Sequence, residues 1–391
     1  MFSLDKLVSM GFTISQATVI NKLFKRVGYA AKFTAANLVE NVQVPTNKIF
    51  QIDSVDSLKT IFKSDNQFYT DIETILVQKG NSNPWQGKIE TVVVYQVGAE
   101  VDYGEAIDAF IAVNANYGQM LIDSRKVEDI QKAAVKANTN GRLFIGQTND
   151  DTIKQNEDNN IAVTLKGLNI DNCLLLCHPD TEFLAGGLAG VLAQNQLGLT
   201  GSLFATVTNC TPQNFVTTVN NNLETLNVGS YQYVNPVNGG GVEEYATPIL
   251  YPGKQITGID TKRQYIKFSL DLLLKAKAVD FLKNAYNYED VSAKILDTML
   301  SSVLIEAQKG DGAFKRLVKL DTTKSDGTVV KGFELKVGRP SDLQDEQPSL
   351  YNTQTYPVNG YYRDALTGAK VEINLMVDPT NAELAALGFG E

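Results

Sequence analysis

Ile89-Glu90-Thr91-Val92-Val93-Val94, residues 89–94, is the stretch whose reading decides the fold. Its consecutive valines do not alternate with polar residues, so neither face is reserved for water, and a β-branched run of this kind suits a strand buried on both sides. Such a strand needs cover above and below, and helices on its two faces supply it in an α/β arrangement. The flanking sequence provides them. Upstream, Lys48-Ile49-Phe50-Gln51-Ile52 reads as a short strand. Ser54 or Asp56 then caps a helix carrying Leu58, Ile61 and Phe62, and a second helix follows around Tyr69, Ile72, Ile75 and Leu76. Downstream, residues 101–113 form an amphipathic helix, 119–122 a strand, 124–138 a helix and 142–145 a strand. Residues 173–176 are a strand that leads into a helix over 182–194. Strands separated by helices of this length pair in parallel through right-handed crossovers.

The pattern changes after Asn235-Pro236-Val237-Asn238-Gly239-Gly240-Gly241, the strongest loop signal in the chain, which lies inside a Tyr-rich strand region over 229–251. A boundary is expected near Pro252 or Gly258. Two long helices follow, 261–284 and 289–308, the second with Val291, Ile295, Met299 and Val303 at helical spacing, and they read as a packed pair. Strands over 314–320 and 329–337 flank Ser325-Asp326-Gly327, a turn because Asp-Gly tolerates positive φ. The last strand, 370–377, alternates Val371, Ile373, Leu375 and Val377 with Glu372 and Asn374. The expected division is a lead-in arm over 1–45, where Ile14, Val19 and Ile20 fit neither period cleanly, an α/β domain over 46–255 and an α+β domain over 256–391.

Composition excludes more than it assigns. The 391 residues carry a formal charge of -9, which opposes a nucleic-acid partner, and no dense Lys/Arg run offsets it. Nothing approaches the roughly 20 apolar residues of a membrane span, and the first ten residues lack a secretory signal, so a soluble, cytosolically made protein is expected. Three cysteines do not form a disulfide framework. His178 is the only histidine, which removes most nucleophile–base arrangements. No G-x-S-x-G, phosphate-loop, H-E-x-x-H or calcium-loop motif occurs.

Three local strings imitate functional motifs. Gly186-Gly187-Leu188-Ala189-Gly190 falls inside an apolar helix pattern, where close packing explains it better than a phosphate site at a strand-to-helix turn. Cys173, Cys177 and His178, with Cys210, supply thiols and an imidazole without the spaced pairs of a structural zinc site, so buried small residues are the preferred reading and no metal is expected. The carboxylate pairs Asp150-Asp151, Glu157-Asp158 and Glu243-Glu244 sit in polar loops and imply no catalysis. Lys309, Lys315, Arg316 and Lys319 form a modest basic group that reads as ordinary surface charge or as a partner-contact face. No catalytic residue and no cofactor is expected.

The order of these segments, with several local strings, resembles the contractile tail sheath family over most of the chain, in particular its smaller members. The strand from Ile49 with Ser54-Val55-Asp56-Ser57-Leu58, Phe62-Lys63-Ser64-Asp65 and Tyr69 is similar to the family's early strand, helix and loop, although Lys63 stands where glycine is common. Met120-Leu121-Ile122-Asp123-Ser124 followed by Arg142-Leu143-Phe144-Ile145 is similar to its outer domain. So is His178-Pro179-Asp180 with the Ala/Gly-rich helix and Gly201-Ser202-Leu203. The resemblance implies an outer α/β domain, an inner α+β domain, and N- and C-terminal arms exchanged between subunits, through Ile14, Val19 and Ile20 at one end and Val371, Ile373, Leu375 and Val377 at the other. It implies a homo-oligomer of sixfold rings around a tail tube, with baseplate and tail terminator proteins as further partners. It implies assembly in a host cytoplasm into a virion tail, contraction without nucleotide, and no direct contact with nucleic acid or insertion into membrane. The basic group 309–319 is the expected tube-facing surface. An ordinary final strand pairing inside its own domain remains the alternative for 370–377. A tube or baseplate component, or an enzyme on an α/β scaffold, are the alternatives for the whole.

Overall fold

The structure, a computed structural model, describes residues 25–78, 89–114, 117–194, 205–234, 247–284, 286–309, 317–365 and 367–378. The chain forms two compact units that divide between Gln264 and Tyr265.

The first unit is built on an eight-stranded sheet. Its elements in chain order are β1 (Arg26–Ala31), β2 (Ile49–Ile52), α1 (Val55–Ile61), α2 (Gln67–Leu76), β3 (Thr91–Gln96), α3 (Tyr103–Val113) and β4 (Gln119–Ile122). They continue with α4 (Val127–Thr139), β5 (Leu143–Thr148), α5 (Asp151–Lys154), α6 (Ile161–Gly167), β6 (Cys173–Cys177) and α7 (Leu184–Gln194). The unit closes with α8 (Thr217–Leu226), β7 (Gly229–Val234) and β8 (Thr247–Tyr251). Strand order is β2-β3-β1-β4-β5-β6-β7-β8. The strands from β3 to β7 run parallel. The two edges, β2 and β8, run antiparallel to their neighbours, so the expectation of parallel pairing holds for the interior only.

The valine run is β3, with Val92, Val93 and Val94 at most 1% exposed. One face of the sheet packs on α3, α4, α6 and α8 through residues such as Phe110, Ala133, Ala137, Leu165 and Leu223. The other face is covered by α2 and α7. Local signals explain the helix starts. Ser54 accepts from the Ser57 amide in a capping box, and Asn66, Asp102 and Asn160 each accept a backbone N–H at the next starts.

The expected 1–45 lead-in ends early, because Arg26–Ala31 is a central strand flanked by β3 and β4. Its Gly28 and two alanines read poorly as a strand, yet Gly28 is what the packing needs. A Cβ there would lie 2.7 Å from the Tyr117 ring, which fills the space above the strand.

The second unit comprises the rest of α9 (Thr261–Lys283), which crosses the division, then α10 (Asp290–Lys309), β9 (Thr322–Thr323), β10 (Val329–Val330) and β11 (Phe333–Val337). α11 (Pro340–Glu346), α12 (Pro348–Asn352), β12 (Tyr356–Arg363) and β13 (Lys370–Val377) complete it. The turn at Ser325-Asp326-Gly327 forms as expected, with Gly327 at φ 83° between the two short strands β9 and β10. The strand expected over 314–320 is not one in its described part, where Leu317 and Val318 instead donate to the Ala307 carbonyl at the end of α10. The strand expected over 329–337 is interrupted at Lys331 and Gly332, because the Gly332 amide turns to the Asp321 carboxylate.

Candidate assembly surface

The second unit carries a three-stranded antiparallel sheet in the order β11-β12-β13. β12 lies between the other two, although Pro357 and Gly360 inside it argue against a central strand. Gly360 is required because a Cβ there would lie 2.2 Å from the Glu334 carbonyl oxygen on β11. Rings anchor the start of β12. Tyr356 packs edge-on against Phe281 at 5.6 Å between centroids and lies 4.8 Å from Tyr288. The Tyr288 hydroxyl donates to the Thr355 carbonyl at 3.2 Å, and burial pushes that phenol up to about 12. α10 lies against β11 and gives this sheet its rigid support.

β13 spans Lys370–Val377, as the sequence alternation predicts. Val371, Ile373, Leu375 and Val377 share one face, on which Ile373 and Val377 are buried and Val371 and Leu375 half-buried. All eight residues pair with β12 of the same chain, from Tyr356↔Val377 to Arg363↔Lys370. Among the described residues the opposite edge of β13 carries no strand. On its outward face Met376 is 48% exposed, while Lys370 lies 4.5 Å from the Tyr361 ring centroid. Ile14, Val19 and Ile20, expected in the N-terminal arm, lie outside the described residues.

Of the expected basic group, Lys309 and Lys319 are exposed, and Lys315 and Arg316 lie outside the described residues. The structure brings the ends of the group together, because Gln308 donates to the Lys319 carbonyl at 2.9 Å. It also adds residues that sequence reasoning did not include. The Lys319 amide donates to the Arg363 carbonyl at 2.8 Å, which aligns this segment with the end of β12. Lys331 joins them beyond Asp321, whose carboxylate accepts from Gln308 and the Gly332 amide and is held below its usual range by those bonds, the amide first. Spacing in sequence gave no signal for this grouping, since β12 lies remote from the 309–319 run.

The first unit offers a second place to look, the carboxyl ends of its parallel strands, where doubly wound sheets hold ligands. Beside β1 and β4 this position is filled by the protein's own side chains. The Tyr103 hydroxyl and Lys32 amide donate to Asp123, and Tyr29 donates to Asp71 at 2.8 Å. Arg125 sits 3.6 Å from Asp71 with its guanidinium 4.2 Å from the Phe183 ring centroid. Burial raises both carboxyls, and Arg125 opposes the rise. Gly186, Gly187 and Gly190 lie within the buried helix α7, and a Cβ on Gly190 would meet the Ile75 carbonyl oxygen of α2 at 2.2 Å. They serve helix packing and are not at the turn a phosphate site requires. Cys173 and Cys177 line the core face of β6, where burial pushes their thiols up to about 12 and about 11.

No helix of the described residues is long and apolar enough to cross a membrane. No family description and no curated protein matches the sequence. Several chains of known structure match its three-dimensional form, among them the following two. A chain of the cryo-EM structure of the anti-feeding prophage (AFP) baseplate, 6-fold symmetrised, aligns with TM-score 0.56 and 10% identity, covering 92% of this chain and 91% of that one. A chain of the anti-feeding prophage helical sheath in the contracted state aligns with TM-score 0.51 and 10% identity, over 91% of this chain and 90% of that one. The mixed α/β fold of this protein, from the eight-stranded sheet to the final β13, is therefore the fold seen in the AFP sheath.

Proposed function

We propose that this protein is a structural subunit of a contractile tail sheath, polymerising as sixfold rings around a tail tube and contracting to drive that tube through a host envelope. The observation that carries the reading is the likeness to a contracted sheath chain over nine-tenths of both chains, 91% and 90%. In this reading the first unit is the outer domain and the second the inner, polymerising domain. β13 supports it as an edge strand, since an unpaired edge is a template for a strand from another subunit. Ile14, Val19 and Ile20 join a neighbour as an arm, Val371, Ile373, Leu375 and Val377 join one through the open edge of the β13 strand they build, and the Lys309, Lys315, Arg316 and Lys319 group faces the tube. Tube, baseplate and tail terminator proteins are its partners, the virion tail its location, and the role is mechanical rather than enzymatic. Many weak contacts repeated along such a lattice act together.

Negative-stain electron microscopy of the purified full-length chain tests this, beside Met376→Glu, which charges the open face of β13 without touching its buried residues. Hollow sixfold cylinders from the parent and none from the variant support the reading. Monodisperse particles from both, even with tube and baseplate added, overturn it. A baseplate component is the second reading, favoured by the higher TM-score of the baseplate chain. Incorporation at one end of a tail particle without extended cylinders would select it.

A further inference from the structure

His178, Glu182 and Cys210 come from two segments remote in sequence, yet each places one donor atom within 4.8 Å of the other two. The first segment follows β6 and is held by Gln147, which donates to the carbonyls of Pro179 at 3.0 Å and Glu182 at 2.7 Å and accepts from the Ala185 amide. The segment carrying Cys210 is fixed on both sides. Gln78 exchanges hydrogen bonds with the Thr208 amide and carbonyl, and the Gln213 amide donates to the Tyr231 carbonyl at 2.7 Å. Asn209, at φ 63°, makes the sharp bend that presents Cys210. Thr211 donates its amide and its hydroxyl to the two Glu182 oxygens, each at 2.6 Å, which orients the carboxylate. Support of this kind, in which neighbours fix a donor's orientation, characterises metal sites.

The remaining donor is a buried imidazole turned toward that carboxylate. His178 is 0% exposed and its Nε2 lies 2.8 Å from Glu182, while its Nδ1 is buried with no hydrogen-bond partner. We propose that His178, Glu182 and Cys210 bind one divalent metal ion of borderline softness, zinc being the natural choice, with a fourth position open to water. A thiolate and an imidazole select against magnesium and calcium, and three protein ligands are the number that leaves tetrahedral zinc an open position.

The geometry requires modest adjustment. Ligand bonds of about 2.0–2.3 Å place tetrahedral donors about 3.3–3.6 Å apart. His178 and Glu182 must therefore separate slightly from 2.8 Å, and any donor pair near the 4.8 Å limit must close by about 1 Å. Facing an ionised carboxylate, Nε2 carries the imidazole proton in the metal-free protein. On binding, that proton moves to Nδ1, where no acceptor lies among the described residues, so the metal–ligand bonds must outweigh one unsatisfied buried N–H; the Cys210 thiol releases its proton to solvent, and the two ligand charges neutralise the ion. The ion would pin the 208–213 segment to the end of β6, a clamp independent of whether the chain polymerises.

Cobalt(II), which substitutes for zinc and reports thiolate ligation through near-ultraviolet charge-transfer absorption, is the probe for the purified full-length protein. The expected result is an absorption saturating at one equivalent and displaced by zinc. Cys210→Ser abolishes it, the Cys173→Ala/Cys177→Ala variant keeps it, and Glu182→Gln weakens the affinity at least about tenfold. No such absorption, its survival in Cys210→Ser, or its loss only with Cys173 and Cys177 overturns the site. Far-ultraviolet circular dichroism establishes that each variant is folded. The unmutated protein supplies a second measurement, alkylation of Cys210 followed by mass spectrometry. Zinc is expected to slow it, because the ligated thiolate is no longer free to attack, and an unchanged rate overturns the proposal.

Discussion

Replacing Asp71 with alanine removes the centre of the buried network beneath β1 and α2. The carboxylate is 1% exposed, accepts from Tyr29 at 2.8 Å and Gln67 at 2.6 Å, and faces Arg125 at 3.6 Å. Without it the Tyr29 hydroxyl, itself fully buried, loses its acceptor, which costs about 1–2 kcal/mol. Arg125, its side chain 12% exposed, loses its carboxylate partner, and breaking a buried pair costs about 3–5 kcal/mol. Here the loss falls toward the lower end. At 3.6 Å the pair is not a tight fork, and Arg125 keeps the carbonyls of Ile122 at 3.2 Å and Asp123 at 3.1 Å besides the Phe183 ring. A total of about 4–5 kcal/mol is expected.

Arg125→Met leaves the opposite charge behind, and that charge can be neutralised by a proton. The Asp71 carboxyl is already raised by burial and held back by Arg125, so removing the arginine raises it further. A carboxyl with a raised folded-state pKa makes the folded protein bind more protons than the unfolded one. Stability therefore falls as pH rises from the ordinary carboxylate pKa through the raised value, then levels off. The cost of Arg125→Met should be small in mild acid and full near neutrality, and the double variant should lose less than the sum of the singles by about 1–3 kcal/mol. Urea unfolding at the two pH values measures both, with amide exchange in α2 confirming that the first unit is the one affected. A pH-independent cost for Arg125→Met, together with additive singles, would refute the coupling.

Other expectations follow from close approaches and from surface charge. Gly190→Ala should destabilise by about 1–3 kcal/mol in thermal unfolding, since its Cβ would meet the Ile75 carbonyl oxygen. Gly167→Ala, with nothing within 4 Å, should be neutral or slightly stabilising, and equal effects at the two sites would contradict the packing argument. Gly360→Ala should force β11 and β12 apart and expose the β12 amides to exchange, while leaving the amides of β3 protected. Reversing Lys315 and Arg316, or Lys309 and Lys319, to glutamate should loosen co-sedimentation with tube while sheath-only polymers persist. Unchanged co-sedimentation in both would remove the tube-facing assignment.

Much of this molecule was legible in the order of its residues. The valine run at Val92–Val94 required cover on both faces, Ser54 announced its helix, Asp326-Gly327 its turn, and the alternation over 370–377 gave β13 its bounds. These are local signals, set by side-chain period, capping bonds and φ preference within a few residues. Pairing is not local. Arg26–Ala31 is a central strand through its pairing with β3 and β4, where Gly28 leaves room for the Tyr117 ring, and β12 tolerates Gly360 because the β11 backbone passes against it. The antiparallel edge β2, the setting of Asp71 against Arg125, and the meeting of His178 and Glu182 with Cys210 likewise depend on which surfaces face each other once the chain has closed. That information resides in contacts between distant segments, which composition and spacing along the chain do not encode.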